Sequence, residues 1–283
     1  MNTYLDCVPC FMRQALEAAR NATDDHGLRE RILRDVLRMA SEMDLSQPPP
    51  AMGQAIHRRV RELTGAPDPY RAAKRKYNAM MLAALPELRA MVSEASEPML
   101  TAAALAIAAN AIDMGVTADL AEDALLAALR GAPKDLGEGA WAEFRHRADV
   151  AQSILYLADN AGEIVADRLL IEELGPDRVT LVVRGAPILN DVTLTEAEEL
   201  GLTEVVEVID NGSDSPGTLL DDCSESLRDR FEAADLIIAK GQGNYESLSG
   251  APRPISFLLK IKCPVIAGVV DLPVGTHALL HGG

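Results

Sequence analysis

Five short runs of polar residues follow apolar, β-rich segments in the second half of this chain. The runs begin at Asp159, Arg184, Asp210, Lys240 and Asp271. The apolar segments alternate with helical patterns, which predicts strands of a parallel sheet that is covered on both faces. Ligands of such folds bind beyond the carboxyl ends of the strands. Side chains from these runs are therefore expected to meet in one cleft.

The first two runs carry side chains that suit a metal ion. Asp159 and Asn160 follow the first predicted strand, and Asp191 lies after the second. Carboxylate and amide oxygens are hard donors that suit Mg²⁺ or Mn²⁺, and two carboxylates balance the charge of a divalent ion. The pattern predicts a metal site with positions left for water and phosphate. The alternative is that these side chains cap the helices that follow them.

The segment Lys240–Asn244 (KGQGN) is expected to form a glycine-containing loop at the end of the fourth predicted strand. Glycines let backbone amides approach an anion closely, and the lysine adds a point charge. The spacing matches neither the phosphate loop of nucleotide hydrolases nor the dinucleotide fingerprint, and the sequence has no serine-esterase elbow. These features indicate an anion site and count against nicotinamide and serine-esterase chemistry.

Two kinds of element must position these residues. Residues 1–150 are predicted to be all-helical, because apolar residues recur three and four positions apart. Residues 151–283 are predicted to form a Rossmann-like, doubly wound α/β domain with a mostly parallel sheet. The predicted strands are 153–158, 178–183, 204–209, 236–239 and 264–270, and the helices between them include one at 255–261.

An apolar helix predicted for residues 99–113 ends in Asn110 and Asp113. Burying an amide and a carboxylate costs free energy unless both find partners, and a carboxylate is unfavourable near a helix C-terminus. We therefore predict that this helix end faces the cleft and that one of the two side chains positions substrate. The alternative is an exposed helix end, with Gly115 as a stop signal.

The charge of the chain limits its partners. The formal net charge is −16, and most of it falls in residues 151–283. Such a surface repels phosphate backbones, so nucleic acid is not an expected partner, and an anionic substrate requires a local cation. No apolar run approaches the roughly 20 residues that span a bilayer, and the N-terminus does not resemble a signal peptide. No membrane partner and a cytoplasmic location are expected.

Cys7 and Cys10 form a C-x-x-C pair near the N-terminus. This spacing fits half of a zinc site or a thioredoxin-type motif. Only six residues precede the pair, however, and Cys223 and Cys263 are far apart in the sequence. A packing role at the start of a helix is the simpler interpretation.

The ordered set of motifs closely resembles the damage-control phosphatase family, formerly domain of unknown function 89. The motifs are DNAGE at 159–163, RGAPILND at 184–191, KGQGN at 240–244 and the cysteine pair, which is typical of the shorter, prokaryotic-type branch. The resemblance covers essentially the whole chain. It implies a helical part packed on a Rossmann-like domain, and metal-dependent hydrolysis of small phosphorylated metabolites such as sugar phosphates or damaged metabolites.

The resemblance also implies roles for single residues. Asp159, Asn160 and Asp191 would bind a divalent ion, which could be Mg²⁺, Mn²⁺, Co²⁺ or Ni²⁺. Asp191 or Glu163 would deprotonate the attacking water, unless an aspartate attacks directly. Lys260 is the alternative to Lys262 as the second substrate-binding lysine. The residues expected to bind substrate are Asn110, Asp113, Arg184, Asn190, Lys240, Asn244 and Lys262. A phosphotransferase and a non-catalytic metabolite- or metal-binding module are the alternative functions.

Overall fold

The computed structural model of the chain describes residues 1–110, 122–132 and 136–282, without the side chains of residues 122–124. Within these ranges helices alone precede the sheet, as the periodicity predicts. They are α1 (Cys7–Ala22), α2 (His26–Glu42), α3 (Pro49–Thr64), α4 (Arg71–Ser93), α5 (Pro98–Ala109), α6 (Glu122–Arg130) and α7 (Glu138–Val150). None of the helices in the described ranges is both long and apolar enough to cross a membrane.

The strands of the second half form a six-stranded sheet. They are β1 (Ile154–Leu157), β2 (Val179–Val183), β3 (Glu207–Asp210), β4 (Leu236–Lys240), β5 (Ile255–Lys260) and β6 (His277–Gly282). The order is β3-β2-β1-β4-β5-β6; β1 to β5 are parallel, and β6 is antiparallel to β5. β1 and β4 are buried along their whole length because helices cover both faces. The predicted α/β class with a mostly parallel sheet is confirmed.

Helices follow most of the strands. They are α8 (Glu163–Leu174), α9 (Leu194–Glu199), α10 (Glu225–Ala233), α11 (Gly241–Leu248) and α12 (Pro264–Val270). The predicted glycine loop at 240–244 is therefore wrong, because α11 begins directly after β4. Lys240 is the N-cap residue of that helix.

Two neighbouring predictions are also wrong. The segment 255–261, predicted as a helix, contains β5, and the segment 264–270, predicted as a strand, is α12. Pro264 occupies the first turn of α12, where a missing amide hydrogen costs nothing, and the Cys263 thiol accepts from the Ile266 amide at 3.5 Å. Asp271 consequently ends a helix rather than a strand. A short apolar run does not by itself distinguish a buried strand from a buried helix.

The N-terminal helices and the sheet share one apolar core. In α5 every residue from Ala102 to Ala109 is buried, and the helix packs against α8, β5 and β6. This continuous core places the end of α5 beside the sheet edge. The division into domains 1–150 and 151–283 stays a prediction.

The centre of the sheet creates the crevice that the site needs. β1 and β4 are neighbours, but the chain continues from β1 to β2 on one side and from β4 to β5 on the other. A crevice opens between the carboxyl ends of strands at such a switch point. Asp159 follows β1 and Gly241 follows β4, so both lie at this crevice.

Candidate active site

A cleft of about 580 Å³ opens at the carboxyl ends of the strands. Asp159, Asn160 and Asp191, the three predicted metal ligands, line it together with Asn190 and Lys262. Helices α1 and α3 supply the facing wall. The structure therefore brings the predicted ligands together on one surface that a small molecule can reach.

Another cleft, of about 530 Å³, lies at the amino ends of the strands around Gln152 and Glu207. Arg230 holds the carboxylate of Glu207 at 2.7 Å on this exposed surface. This second cleft lies at the edge of the sheet opposite the predicted ligands. The cleft at the carboxyl ends of the strands is therefore the candidate active site.

Backbone hydrogen bonds fix the three predicted ligands beside one another. The Val192 amide donates to the Asp159 carbonyl at 2.9 Å, and an antiparallel bridge joins Asn160 to Asp191. The loops that follow β1 and β2 are thereby held as one unit. The proximity of these side chains does not depend on flexible chain segments.

The alternative capping role of these residues is wrong. Gly162 is the N-cap residue of α8, and no side chain caps that helix. Thr193 is the N-cap residue of α9, where its side chain and the Glu196 carboxylate form a capping box. The side chains of Asp159, Asn160 and Asp191 are therefore left for the cleft.

Asn110 lies fully buried at the end of α5, in contact with the cleft carboxylates. Its Nδ2 donates to Asp159 Oδ2 at 2.9 Å and to Glu163 Oε2 at 2.8 Å, and its Oδ1 accepts from the Lys260 amide at 3.2 Å. The helix end thus reaches the site, as predicted. A direct role of Asn110 with substrate stays a prediction, and Asp113 lies outside the described residues.

The surroundings of Asp159 disfavour the negative charge of its carboxylate. Burial raises the pKa of its carboxyl well above the usual range, and the nearby Glu163 and Asp191 raise it further. Lys262 and Arg184 act in the opposite direction without cancelling the rise. The carboxylate form of Asp159 therefore lacks enough positive charge around it, which a divalent cation in the cleft would supply.

Glu163 is fully buried, and protein donors occupy both of its carboxylate oxygens. Oε1 accepts from Lys240 Nζ at 2.5 Å, and Oε2 accepts from the amides of Asn110 and Asn160, the latter at 3.0 Å. Glu163 is not among the residues that line the cleft. This geometry favours a role in positioning the two amides over the predicted role as a base.

Lys240 is also fully buried, and its ammonium group has a protein acceptor for each of its three hydrogens. Nζ donates to Glu163 Oε1 at 2.5 Å, to Asp167 Oδ1 at 2.6 Å and to the Ala106 carbonyl at 3.0 Å. Burial lowers the pKa of Lys240, but Asp167 and Glu163 raise it more, so it stays above its ordinary value. The geometry favours charge compensation within the fold over the predicted contact with phosphate.

Arg184 and Asn244 are buried behind the cleft rather than on its surface. Arg184 Nε donates to Asp191 Oδ2 at 2.7 Å, and its Nη1 donates to Asn244 Oδ1 at 3.3 Å. Asn244 Nδ2 donates in turn to the Lys240 carbonyl at 2.8 Å. The two residues predicted to bind substrate are thus arranged to orient Asp191.

Lys262 follows β5, lines the cleft and lies close enough to lower the pKa of Asp159. Its rival Lys260 does not line the cleft. The geometry therefore favours Lys262 as the lysine that meets an anion beside Asp159. The strand-end rule alone does not predict a role for Lys262, because β5, the strand before it, is predicted as a helix.

Gly241 belongs to the segment whose glycines are predicted to let backbone amides approach an anion, but its contact with Asp159 is not predicted. Its φ of +76° is in the left-handed region, and a Cβ at this position would lie 1.9 Å from Asp159 Oδ2. No side chain fits between the start of α11 and this carboxylate. The glycine lets the helix N-terminus, which favours negative charge, approach Asp159 directly.

Gly241→Ala is expected to lower the free energy of unfolding by about 1–3 kcal/mol from the positive φ alone, and to lower it further because the added Cβ collides with Asp159. Urea unfolding measures the total loss. Gly65→Ala is the matched control, because Gly65 also has a positive φ, of +67°, and nothing lies within 4 Å of its Cβ position. Equal behaviour of the two variants would contradict the proposed fit around Asp159.

The chain is similar to known proteins along most of its length. The damage-control phosphatase ARMT1-like domain model matches residues 3–277. A Methanocaldococcus jannaschii relative, described only as uncharacterized protein MJ0202, is 36% identical over 97% of this chain and 94% of its own. The Archaeoglobus fulgidus damage-control phosphatase is 34% identical over 95% of each chain.

A Pyrococcus horikoshii protein connects these findings to the fold. The damage-control phosphatase PH1575 of this organism is 30% identical over 97% of this chain and 96% of its own. Its crystal structure, described as that of a DUF89 family protein, superposes with a TM-score of 0.89 at 29% identity and covers 100% of both chains. Sequence and fold agree over the same length, and the chain belongs to the damage-control phosphatase ARMT1-like family.

Proposed function

We propose that this protein hydrolyses phosphate monoesters of small metabolites, with a divalent metal ion held by Asp159, Asn160 and Asp191. The observation that carries the proposal is the pair of buried carboxylates at the crevice, where neighbouring cations do not offset the charge around Asp159. The names of two relatives support phosphatase activity. The metal and the substrate class rest on the chemistry of the cleft.

The donor atoms fit a hard divalent ion such as Mg²⁺ or Mn²⁺. Asn160 Oδ1 accepts no hydrogen bond from the described residues, and Arg184 Nη2 lies 3.9 Å from Asp159 Oδ1, beyond hydrogen-bond distance. No group of three His, Cys, Asp or Glu side chains in those residues is spaced to hold an ion. The proposed site therefore uses the Asn160 amide oxygen and leaves further positions to water and substrate.

When bound, a divalent ion supplies a Lewis acid that offsets phosphoryl charge and lowers the pKa of water. Lys262 lines the cleft beside Asp159 and would contact the phosphoryl oxygens. Gln242 and Gly243, in the first turn of α11, line the same region, where a helix N-terminus favours anions. These groups would hold the charge on the transferred phosphoryl group.

Asp191 is the better-placed general base of the two that the sequence suggests. It lines the cleft, and Arg184 Nε fixes its Oδ2 from behind at 2.7 Å. A carboxylate held in this way can accept the proton of an attacking water. Direct attack by Asp159 or Asp191 is the alternative, and an acid-stable phosphoenzyme trapped in single-turnover experiments would identify it.

Lys262→Met is expected to lower kcat/KM for phosphate release by about 10- to 150-fold, because it removes a hydrogen-bonding cation from the phosphoryl group. The assay uses p-nitrophenyl phosphate and a panel of phosphorylated metabolites, each with Mg²⁺, Mn²⁺, Co²⁺ or Ni²⁺. Lys260→Met, two residues away and outside the cleft, is the control and should change kcat/KM by less than about twofold.

The same assay separates the alternative functions. Release of inorganic phosphate that EDTA abolishes supports the proposal. Transfer of phosphate to an added alcohol in place of water would identify a phosphotransferase. Binding of phosphorylated ligands without turnover under any of these ions would identify a non-catalytic module.

A further inference from the structure

Two cationic side chains occur among the described residues that line the cleft, and they serve different parts of it. Lys262 lies beside Asp159, whose pKa it lowers. Arg13 projects from α1, one of the two helices of the facing wall. Among the described residues its one polar contact is between Nη2 and the Cys10 thiol at 3.6 Å, and sulfur is a weak acceptor. Most of the five guanidinium donors thus make no hydrogen bond to the described residues.

Arg13 has no carboxylate partner in the part of the chain that the structure describes, which sets it apart from two arginines of α3. Arg58 and Arg61 of α3 are both ion-paired with Asp214. The chain has 43 acidic residues against 27 basic ones, so carboxylates are abundant. Four acidic residues line the same cleft, namely Asp6, Asp159, Asp191 and Glu246.

The size and lining of the cleft indicate what Arg13 meets. A volume of about 580 Å³ is within the usual range of metabolite sites and exceeds what a phosphate group alone requires. Much of the remaining wall is apolar and supplies no charge. These wall residues are Phe11, Pro49, Pro50, Leu189 and Pro216. A ligand with its phosphate beside Asp159 therefore extends along apolar surface toward the α1 wall.

We propose that Arg13 binds a second anionic group of the substrate. The preferred substrates are then phosphate monoesters that also carry a carboxylate or another phosphate, which the planar guanidinium contacts through paired hydrogen bonds. This inference rests on the proposed phosphatase function and names its substrate class. It makes α1, which begins at Cys7, a specificity element of the site.

The test compares two substrates that differ only at the far end. 3-Phosphoglycerate carries a carboxylate where glycerol 3-phosphate carries a hydroxymethyl group. The wild-type ratio of kcat/KM is expected to favour 3-phosphoglycerate by about 10-fold or more. Arg13→Gln should reduce this ratio by about 10- to 100-fold, mainly through KM, and Arg13→Lys should retain part of it. Arg20→Gln is the control, because Arg20 lies on the same helix outside the cleft.

Two outcomes overturn the inference: a wild-type ratio near one, or a ratio that Arg13→Gln leaves unchanged. If no variant releases phosphate, the proposed function fails, and calorimetric titration with the same two compounds decides the inference alone. A dissociation constant for 3-phosphoglycerate that rises about 10- to 100-fold in Arg13→Gln, relative to glycerol 3-phosphate, supports it. Equal affinities in wild type and variant overturn it.

Discussion

Asp159→Asn is expected to lower kcat/KM for phosphate release by about 10³-fold or more while the protein stays folded. The substitution keeps the size of the side chain and an oxygen that can accept from Asn110 and Asn160, which donate to Asp159 at 2.9 and 2.6 Å. It removes the negative charge that would hold a divalent ion. Loss of that ion removes transition-state stabilisation of about 4 kcal/mol, or about 10³-fold in rate.

Stability and metal content give readouts that do not depend on activity. In the metal-free protein Asp159→Asn should raise the free energy of unfolding, because it removes a buried and crowded carboxylate. Wild type should gain about 2.7 kcal/mol from an ion at 100 times its dissociation constant, and the variant should gain almost nothing. Asp191→Ala should also lose bound metal, measured by elemental analysis.

Asp229→Asn is the control for this experiment, because Asp229 is an exposed carboxylate of α10 away from the cleft. It should behave as wild type in metal content, stability and turnover. If Asp159→Asn kept wild-type metal content and turnover, the assignment of the metal site would be wrong. If it lost turnover but kept the metal, Asp159 would act on substrate rather than on the ion.

The sheet could be predicted wherever a strand is apolar and clearly bounded. β1, β2 and β4 meet that condition, and their predicted and observed limits nearly coincide. β5 does not, because its sequence ISFLLK has the length and composition of either element. Ser256 within it is buried, and its hydroxyl pairs with His281 of β6 at 3.1 Å. That long-range partner makes the strand favourable, and no local pattern shows it.

The same limit explains which site residues could be predicted. Asp159, Asn160 and Asp191 are brought together by a rule about strand ends, which needs only the strands to be placed. The roles of Lys240 and Lys262 depend on the direction of each side chain, which the strand order does not give. In the structure Lys262 lines the cleft and Lys240 points into the fold.

One signal in the sequence could have indicated the direction of Lys240. Glu163 and Asp167 are four residues apart in α8, so both carboxylates lie on the same face of the helix. The other residues of that face are apolar, which places two acidic side chains in the core. Buried carboxylates require a buried cation. Lys240, at the end of the adjacent central strand, is well placed to supply it.

Lys240→Met is therefore expected to lower the free energy of unfolding by about 3–5 kcal/mol, since it leaves Glu163 and Asp167 buried without a cation. Burial already raises the pKa of Asp167 to about 6, above the ordinary carboxyl value of about 4, although Lys240 lowers it. Without Lys240 that pKa should rise further. The folded state then favours the protonated form of Asp167. Its contribution to the free energy of unfolding is therefore fully present below about pH 4 and is lost as the pH rises through the pKa of the folded state.

Urea unfolding at pH 5 and pH 8 measures this effect. The difference in the free energy of unfolding between wild type and Lys240→Met should be larger at pH 8. A variant that also carries Glu163→Gln and Asp167→Asn should recover much of the stability, because it removes the uncompensated charges together with the lysine. Lys262→Met should show the opposite signature, with a large loss of kcat/KM and a stability change of no more than about 1 kcal/mol. If Lys240→Met instead lost activity with unchanged unfolding at both pH values, Lys240 would be a phosphate contact after all.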